Sequence, residues 1–234
     1  MNKESNTYTF VFTIVMIVTV ALGLSLTAIT LKPAQQRNVE LEKMQNILQS
    51  VNVRVDFKEA EKIFKKYITQ TYLVRPDGSF SEGNAFGINL KEELNKPVSE
   101  RQLPLYVAEK EGRKYYIIPL YGKGLWGPIW GYVALEDDMN TIYGVSFGHK
   151  GETPGLGAEI VKDKFKKRFV GKKIFDENGA FVSVKVEKGI KNPGLHEVDA
   201  LSGATITSKG VEAMLHDVME NYVNFFKKNK NHGQ

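Results

Sequence analysis

Apolar positions along the chain change their spacing several times, and each change marks a new element. Residues 9–31 contain no charged side chain and are rich in Val, Ile, Leu and Phe. As a helix this run would be about 35 Å long, enough to cross the hydrocarbon core of a bilayer with some tilt. A cleaved signal peptide has a shorter apolar core and a small-residue cleavage site. Here the run ends at Leu31-Lys32-Pro33 without a convincing site of that kind, which favours a retained single-span anchor. Further on, ELEKMQNILQS at 40–50 places Leu41, Met44, Ile47 and Leu48 on one face and predicts an amphipathic helix. A second helix is predicted over 58–68, through Ile63, Phe64, Tyr67 and Ile68.

The pattern then turns to strands. Residues 71–74 run into a turn at Arg75-Pro76-Asp77-Gly78. Segments 115–121, 129–135 and 141–147 are rich in β-branched and aromatic residues and are divided by Gly, Pro or Asp, the signature of consecutive antiparallel strands. Helical spacing returns over 158–169 and strand character over 181–187. The closing segment predicts one long helix: Val211, Leu215, Val218, Met219, Tyr222 and Phe226 share a face, Met214 and Val223 widen it, and Ser208 is its expected cap. Such a stripe reads as core. The fold class is α+β, with a single N-terminal transmembrane helix followed by a domain built on an antiparallel sheet and a long C-terminal helix. The expected division is a tail at 1–8, the span at 9–31, a linker and helix at 32–57, the α+β domain at 58–230 and a tail at 231–234.

Composition narrows the function classes. Of 234 residues, 42% are hydrophobic and 25% charged, an ordinary globular balance, and setting the span and its linker aside leaves enough for one sizeable domain or two small lobes sharing a core. The net charge of +5 comes from dispersed lysines with clusters at 162–168 and 227–230. No nucleic-acid recognition module accompanies them, so they read as a solvated basic face and no nucleic-acid partner is expected. The absence of cysteine excludes disulfides, Cys-ligated zinc, iron–sulfur clusters and thiol nucleophiles. His149 and His196 lack metal-ligand spacing, and no metal site is expected.

Three short motifs carry candidate chemistry. Gly122-Lys123-Gly124-Leu125-Trp126-Gly127 satisfies G-x-G-x-x-G, but Pro128 and a strand-like segment follow where a dinucleotide site needs a helix. A glycine-rich hairpin connection is the better reading. Gly144-Val145-Ser146-Phe147-Gly148 satisfies the nucleophile-elbow pattern, yet its serine lies inside an alternating strand, so a serine hydrolase is disfavoured. The third is Asp199-Ala200-Leu201-Ser202-Gly203-Ala204-Thr205, followed by Ile206-Thr207-Ser208-Lys209-Gly210. Small residues lead into the C-terminal helix, whose first N–H groups, with Lys209 nearby, would suit a phosphate. Hydroxyls at Ser202, Thr205, Thr207 and Ser208 crowd the same stretch, and a hydroxyl-rich cap and turn is the alternative.

This third segment resembles the flavinylation motif D-x-x-[ST]-[SG]-A-T of the FMN-binding family. Upstream, Gly151-Glu152-Thr153-Pro154-Gly155-Leu156-Gly157-Ala158-Glu159 resembles the same family's E-T-P-G-L-G signature. Two signatures in order, about forty residues apart, are far more specific than either pattern above. The single span, the segment Gly124-Leu125-Trp126-Gly127-Pro128-Ile129-Trp130-Gly131-Tyr132 and the SGAT-led helix are similar to the flavin-bearing subunits of sodium-translocating NADH:quinone reductases. The flavin-bearing subunits of Rnf-type ferredoxin:NAD reductases are close relatives and one alternative assignment; a flavinylated, membrane-anchored regulatory protein using the same domain is the other.

The resemblance implies FMN held covalently by a phosphoester on Thr205, installed by a separate flavin transferase. It implies a bacterial inner-membrane location with the large domain outside the cytoplasm. Lys3 before the span against Lys32, Arg37 and Lys43 after it would suggest the reverse by simple charge counting. Long domains cross largely regardless of flanking charge, so the family's orientation is preferred. The chain would act as one subunit of a membrane redox complex and not as an enzyme alone. Gly203 and Ala204 would leave room for the phosphate and the transferase, Ser202 completes the motif, and Asp199 would serve recognition. Gly155 and Gly157 would let backbone approach the cofactor, Leu156 would cover a ring face, and Trp126 would pack nearby. Glu152 and Thr153 would supply hydrogen bonds that tune the flavin.

Overall fold

The computed structural model describes residues 6–230, so the ends of both predicted tails, including 231–234, lie outside the described residues. The chain divides after Lys43 into two compact units. Helix α1 (Asn6–Ser50), whose residues 6–43 belong to the first unit, is long and apolar enough to cross a bilayer. Its apolar side chains face outward; Phe10 is 70% exposed and Ile29 68%. Thr13, Thr19 and Thr27 donate to the carbonyls of Thr9, Val15 and Gly23, each at 2.8 Å, so these hydroxyls need no water. The separate amphipathic helix predicted at 40–50 is corrected: α1 runs on through Pro33 to Ser50. No Gly or Asn follows Pro33 closely enough to cap and end the helix there.

From Met44 onward the chain is built on a six-stranded antiparallel sheet. Its strands are β1 (Ile68–Val74), β2 (Phe80–Glu82), β3 (Leu103–Lys110), β4 (Arg113–Lys123), β5 (Pro128–Leu135) and β6 (Ile142–His149), in the order β2-β1-β3-β4-β5-β6. Helix α2 (Ala60–Tyr67) precedes β1, and α3 (Leu90–Leu94) lies between β2 and β3. The β3–β4 hairpin turns on Glu111 and Gly112, both with positive φ (54° and 76°), as a two-residue turn matched to strand twist requires. The sheet is covered on both faces. One face packs Ile118, Leu120, Val133 and Val145 against Val211, Leu215 and Tyr222. The other packs Tyr106, Ile117 and Tyr132 against Ile47, Val51 and Phe64.

Three predicted elements are corrected. The helix expected over 158–169 is a 3-10 turn (Gly157–Val161), a short helix α4 (Asp163–Lys166) and another 3-10 turn (Lys167–Phe169), parted by an extended Lys162. Ile160 and Phe165 are five apart and would point to different sides of one helix; the break buries both. The strand expected over 181–187 shrinks to β7 (Lys185–Glu187), which pairs in parallel with β8 (Glu197–Asp199). Ser183, at φ 57°, interrupts its start. The closing helix is divided into α5 (Thr205–Met219), a 3-10 turn (Glu220–Tyr222) and α6 (Val223–Asn229). At the break, the Asn221 amide donates to the carbonyls of Asp217 and Val218 and accepts from Arg101. Tyr222, fully buried, donates its hydroxyl to the Pro104 carbonyl at 2.8 Å.

Candidate functional site

Three loops far apart in sequence meet at one end of the sheet: the β4–β5 connection, the segment after β6, and the entry to α5. Glu152 joins them. Its carboxylate, 4% exposed, accepts from the Trp126 backbone N–H at 2.9 Å with Oε1 and from the Thr207 hydroxyl at 2.6 Å with Oε2. Glycines enclose it. A Cβ on Gly124 would stand 2.5 Å from Oε1, and one on Gly157 would overlap Oε2 and the Thr207 hydroxyl. Gly210, one turn into α5, meets the Lys123 carbonyl so closely that a Cβ there would overlap it. The two sequence signatures and the glycine-rich hairpin are therefore physically one structure, pinned by a buried carboxylate.

Helix α5 begins at Thr205, not near Ser208. Ser208 is buried inside the helix, where its hydroxyl accepts from the Leu201 N–H at 3.1 Å. The residue before the helix is Ala204, and no side chain caps the first turn. The opening amides of a fifteen-residue helix are thus left to other partners at its positive end. Thr205 and Thr207 lie two residues apart, about 200° around the helix axis. Thr207 faces inward at 1% exposure, and Thr205 is consequently turned outward and exposed. Gly203 has φ +75°, and a Cβ there would approach Leu156 Cδ2 to 2.8 Å, so Leu156 lies directly against the turn leading to Thr205. Gly155 turns with φ +77°, while the Thr153 carbonyl accepts from the N–H groups of Leu156 and Ala158 at 3.1 Å. Ser202 and Thr153 are exposed, and so are the apolar side chains of Leu125 (47%), Trp126 (68%), Leu156 (43%) and Ile206 (60%).

Two residues singled out in the sequence are engaged elsewhere. The Lys209 ammonium bonds Glu212, at 2.9 and 3.1 Å, and so faces along the helix away from its start. Asp199 accepts from the Gly189 N–H at 2.8 Å and lies 3.6 Å from Arg168, whose guanidinium also donates to the Asp199 and Ala200 carbonyls. Asp199 fixes the backbone leading into the turn. Thr207, by contrast, reads in the sequence only as a neighbour of Thr205; the half-turn separation of the two hydroxyls is the signal that sets it apart.

The two discarded motifs have structural roles. Ser146 is buried within β6 and donates to the Asn46 carbonyl at 2.8 Å, and Gly122–Gly127 closes the β4–β5 hairpin with a bond from Gly124 N–H to the Gly127 carbonyl at 2.8 Å. His149 accepts from the Glu152 N–H at 3.3 Å, and His196 Nδ1 lies 2.7 Å from the Lys173 carbonyl. Among the described residues no group of side chains is arranged to hold a metal.

The sequence model of the FMN-binding domain matches residues 124–220, a segment that contains Trp126, Glu152, Thr205 and Thr207. The C subunit of the Na+-translocating NADH-quinone reductase of Pseudomonas aeruginosa is 32% identical, over 92% of this chain and 92% of that one. The corresponding protein of Haemophilus ducreyi is 31% identical, over 90% and 88%. Among solved structures, the C subunit of the same reductase from Parabacteroides distasonis superposes with a TM-score of 0.77 at 46% identity, covering 84% of this chain and 96% of that one. Shewanella oneidensis NqrC gives 0.69 at 28% identity, covering 82% and 98%. With likeness of this extent in both sequence and fold, the chain belongs to the family of C subunits of Na+-translocating NADH-quinone reductases.

Proposed function

We propose that this chain carries FMN as a phosphoester on the Thr205 hydroxyl and passes electrons between redox centres of partner subunits in a Na+-translocating NADH-quinone reductase. In this reading a separate flavin transferase installs the cofactor, and the domain lies on the extracytoplasmic side of a bacterial inner membrane. The observation that carries it is the exposed Thr205 hydroxyl at the uncapped start of α5, beside a glycine turn.

The residues present suit the group. A phosphate on Thr205 would lie where the first amides of α5 offer N–H donors and a positive helix end, which favours the phosphate's negative charge. Gly203 brings no side chain against Leu156, so the turn stays narrow. The exposed surfaces of Leu156, Trp126, Leu125 and Ile206 offer apolar cover of the kind an aromatic ring system takes. Glu152 and Thr207 hold the Trp126 loop and α5 together from beneath. FMN, once bound, supplies the one-electron transfers between carriers; the protein supplies attachment, orientation and local electrostatics.

The test is the assembled complex carrying Thr205→Ala. The variant is expected to assemble, to lose the flavin fluorescence that otherwise stays with this chain on a denaturing gel, and to lose at least ~90% of quinone-reductase turnover. Unchanged turnover would sink the proposal.

A further inference from the structure

The basic cluster at 162–168 reads in the sequence as a solvated face, yet the fold turns part of it inward. Lys166 is buried, at 8% exposure, although five of the seven residues at 162–168 are basic. It lines a cavity of about 300 Å³ together with Gln49, Asn52, Arg54, Asp163 and Lys167, with Val145 and Val170 as apolar walls. These groups converge from the last turn of α1 and the segment after it, the start of β6 and the α4 region, so the cluster is a product of folding and not of one charged run.

The charges in the cavity do not balance. Asp163 is the single carboxylate in the lining; it bonds Arg54 and also Lys166, the latter at 3.2 Å. Three cations, Arg54, Lys166 and Lys167, thus face one anion and leave an excess of two positive charges. Among the described residues the side chains of Lys167, Gln49 and Asn52 have no side-chain partner, so further donors remain unused. A nearly buried ammonium that shares its carboxylate with an arginine has unmet demand for negative charge, because burial weakens the compensation that water would give. The cavity is distinct from the Thr205 site: Gly144 at the start of β6 lines it, whereas the Glu152 loop follows the other end of that strand, about 17 Å away at ~3.3 Å per residue.

We propose that this cavity binds a phosphate-class oxyanion, with Lys166 and Lys167 as its principal ligands and Arg54 as a movable third. The charge excess matches a dianion such as inorganic phosphate or a phosphomonoester, and the volume admits a small organic substituent against Val145 and Val170. The phosphate could be a free solute or a phospholipid headgroup, which the experiment separates. The inference does not rest on the flavin assignment and can be tested on the Thr205→Ala chain.

The experiment is titration of the full-length protein, in nanodiscs of phosphatidylcholine, with inorganic phosphate at constant ionic strength, followed by calorimetry. The expected result is saturable one-to-one binding, weakened at least ~10-fold by Lys166→Met and by Lys167→Ala and unchanged by Lys91→Ala, an exposed lysine elsewhere. Lys167 is exposed, so its variant tests the site even if Lys166→Met fails to fold. Repeating the titration in nanodiscs containing phosphatidic acid distinguishes the sources: competition that depends on Lys166 identifies a headgroup, and an unaltered affinity identifies a free anion. No saturable binding in phosphatidylcholine discs, or equal losses in Lys167→Ala and Lys91→Ala, would overturn the proposal.

Discussion

Glu152 shows how a single side chain can organise a site from below its surface. Its two carboxylate oxygens accept one bond from the Trp126 loop and one from α5, and both are shielded from water. Thr207→Val keeps the side-chain shape but removes the donor, leaving a buried carboxylate oxygen unpaired. The expected loss is about 1–3 kcal/mol in urea unfolding, and Thr207→Ser should recover most of it. Equal stability of Thr207→Val and the wild type would show that the bond contributes nothing net. Of these residues, Thr205 is singled out in the sequence only through the family motif that it completes, because the hydroxyls of Ser202, Thr207 and Ser208 crowd the same stretch and composition does not separate them. Thr207 is not, because its partner Glu152 stands 55 positions away. Lys209 illustrates the opposite case: proximity in sequence to a helix start says nothing about a rival carboxylate one turn on, and Glu212 takes its ammonium.

At the scale of elements, α5 approaches the sheet through glycine. Gly210 lies against the Lys123 carbonyl, and Gly122 faces Met214, where an added Cβ would come within 2.7 Å of the Met214 Cβ. Gly210→Val should therefore lift the first turns of α5 from β4, lowering stability by about 1–3 kcal/mol and slowing flavin attachment at Thr205; full stability with normal attachment would contradict this packing account. The N-terminal residue of α4 gives a pH test. Bonds from Arg54, then Lys166, hold the Asp163 carboxyl below its ordinary 3.8. A carboxyl depressed in the folded state contributes stability that is full above the unfolded pKa and is lost as pH falls through the folded one. Asp163→Asn should accordingly lower stability at neutral pH and flatten the acid-side decline below about pH 4, whereas an unchanged acid slope would show that the pair does not couple to folding. Elements differ in legibility for physical reasons. β5 and β6 announce themselves through β-branched and aromatic residues, but β3 does not. Leu103 to Ala108 is buried at every position, so it lacks the alternation of a half-exposed strand, and Pro104 further disguises it. The break in the 158–169 helix needs tertiary demand, the burial of Ile160 and Phe165 together, which no helical period encodes.

For the molecule as a whole, the predicted α+β class with an N-terminal span holds, and its function depends on where the domain lies and what it carries. The chain has no cysteine, so Lys191→Cys, at an exposed position, creates a single reporter. Labelling of intact cells by a membrane-impermeant maleimide is expected if the domain is extracytoplasmic; labelling only after lysis would reverse the orientation. The proposed role turns on the covalent flavin, and the intact mass of the protein from its native host decides whether it is there. The expected mass exceeds that of the polypeptide by one FMN less one water, with the addition absent from Thr205→Ala. A native-host protein of unmodified mass, or an addition that survives Thr205→Ala, would contradict it.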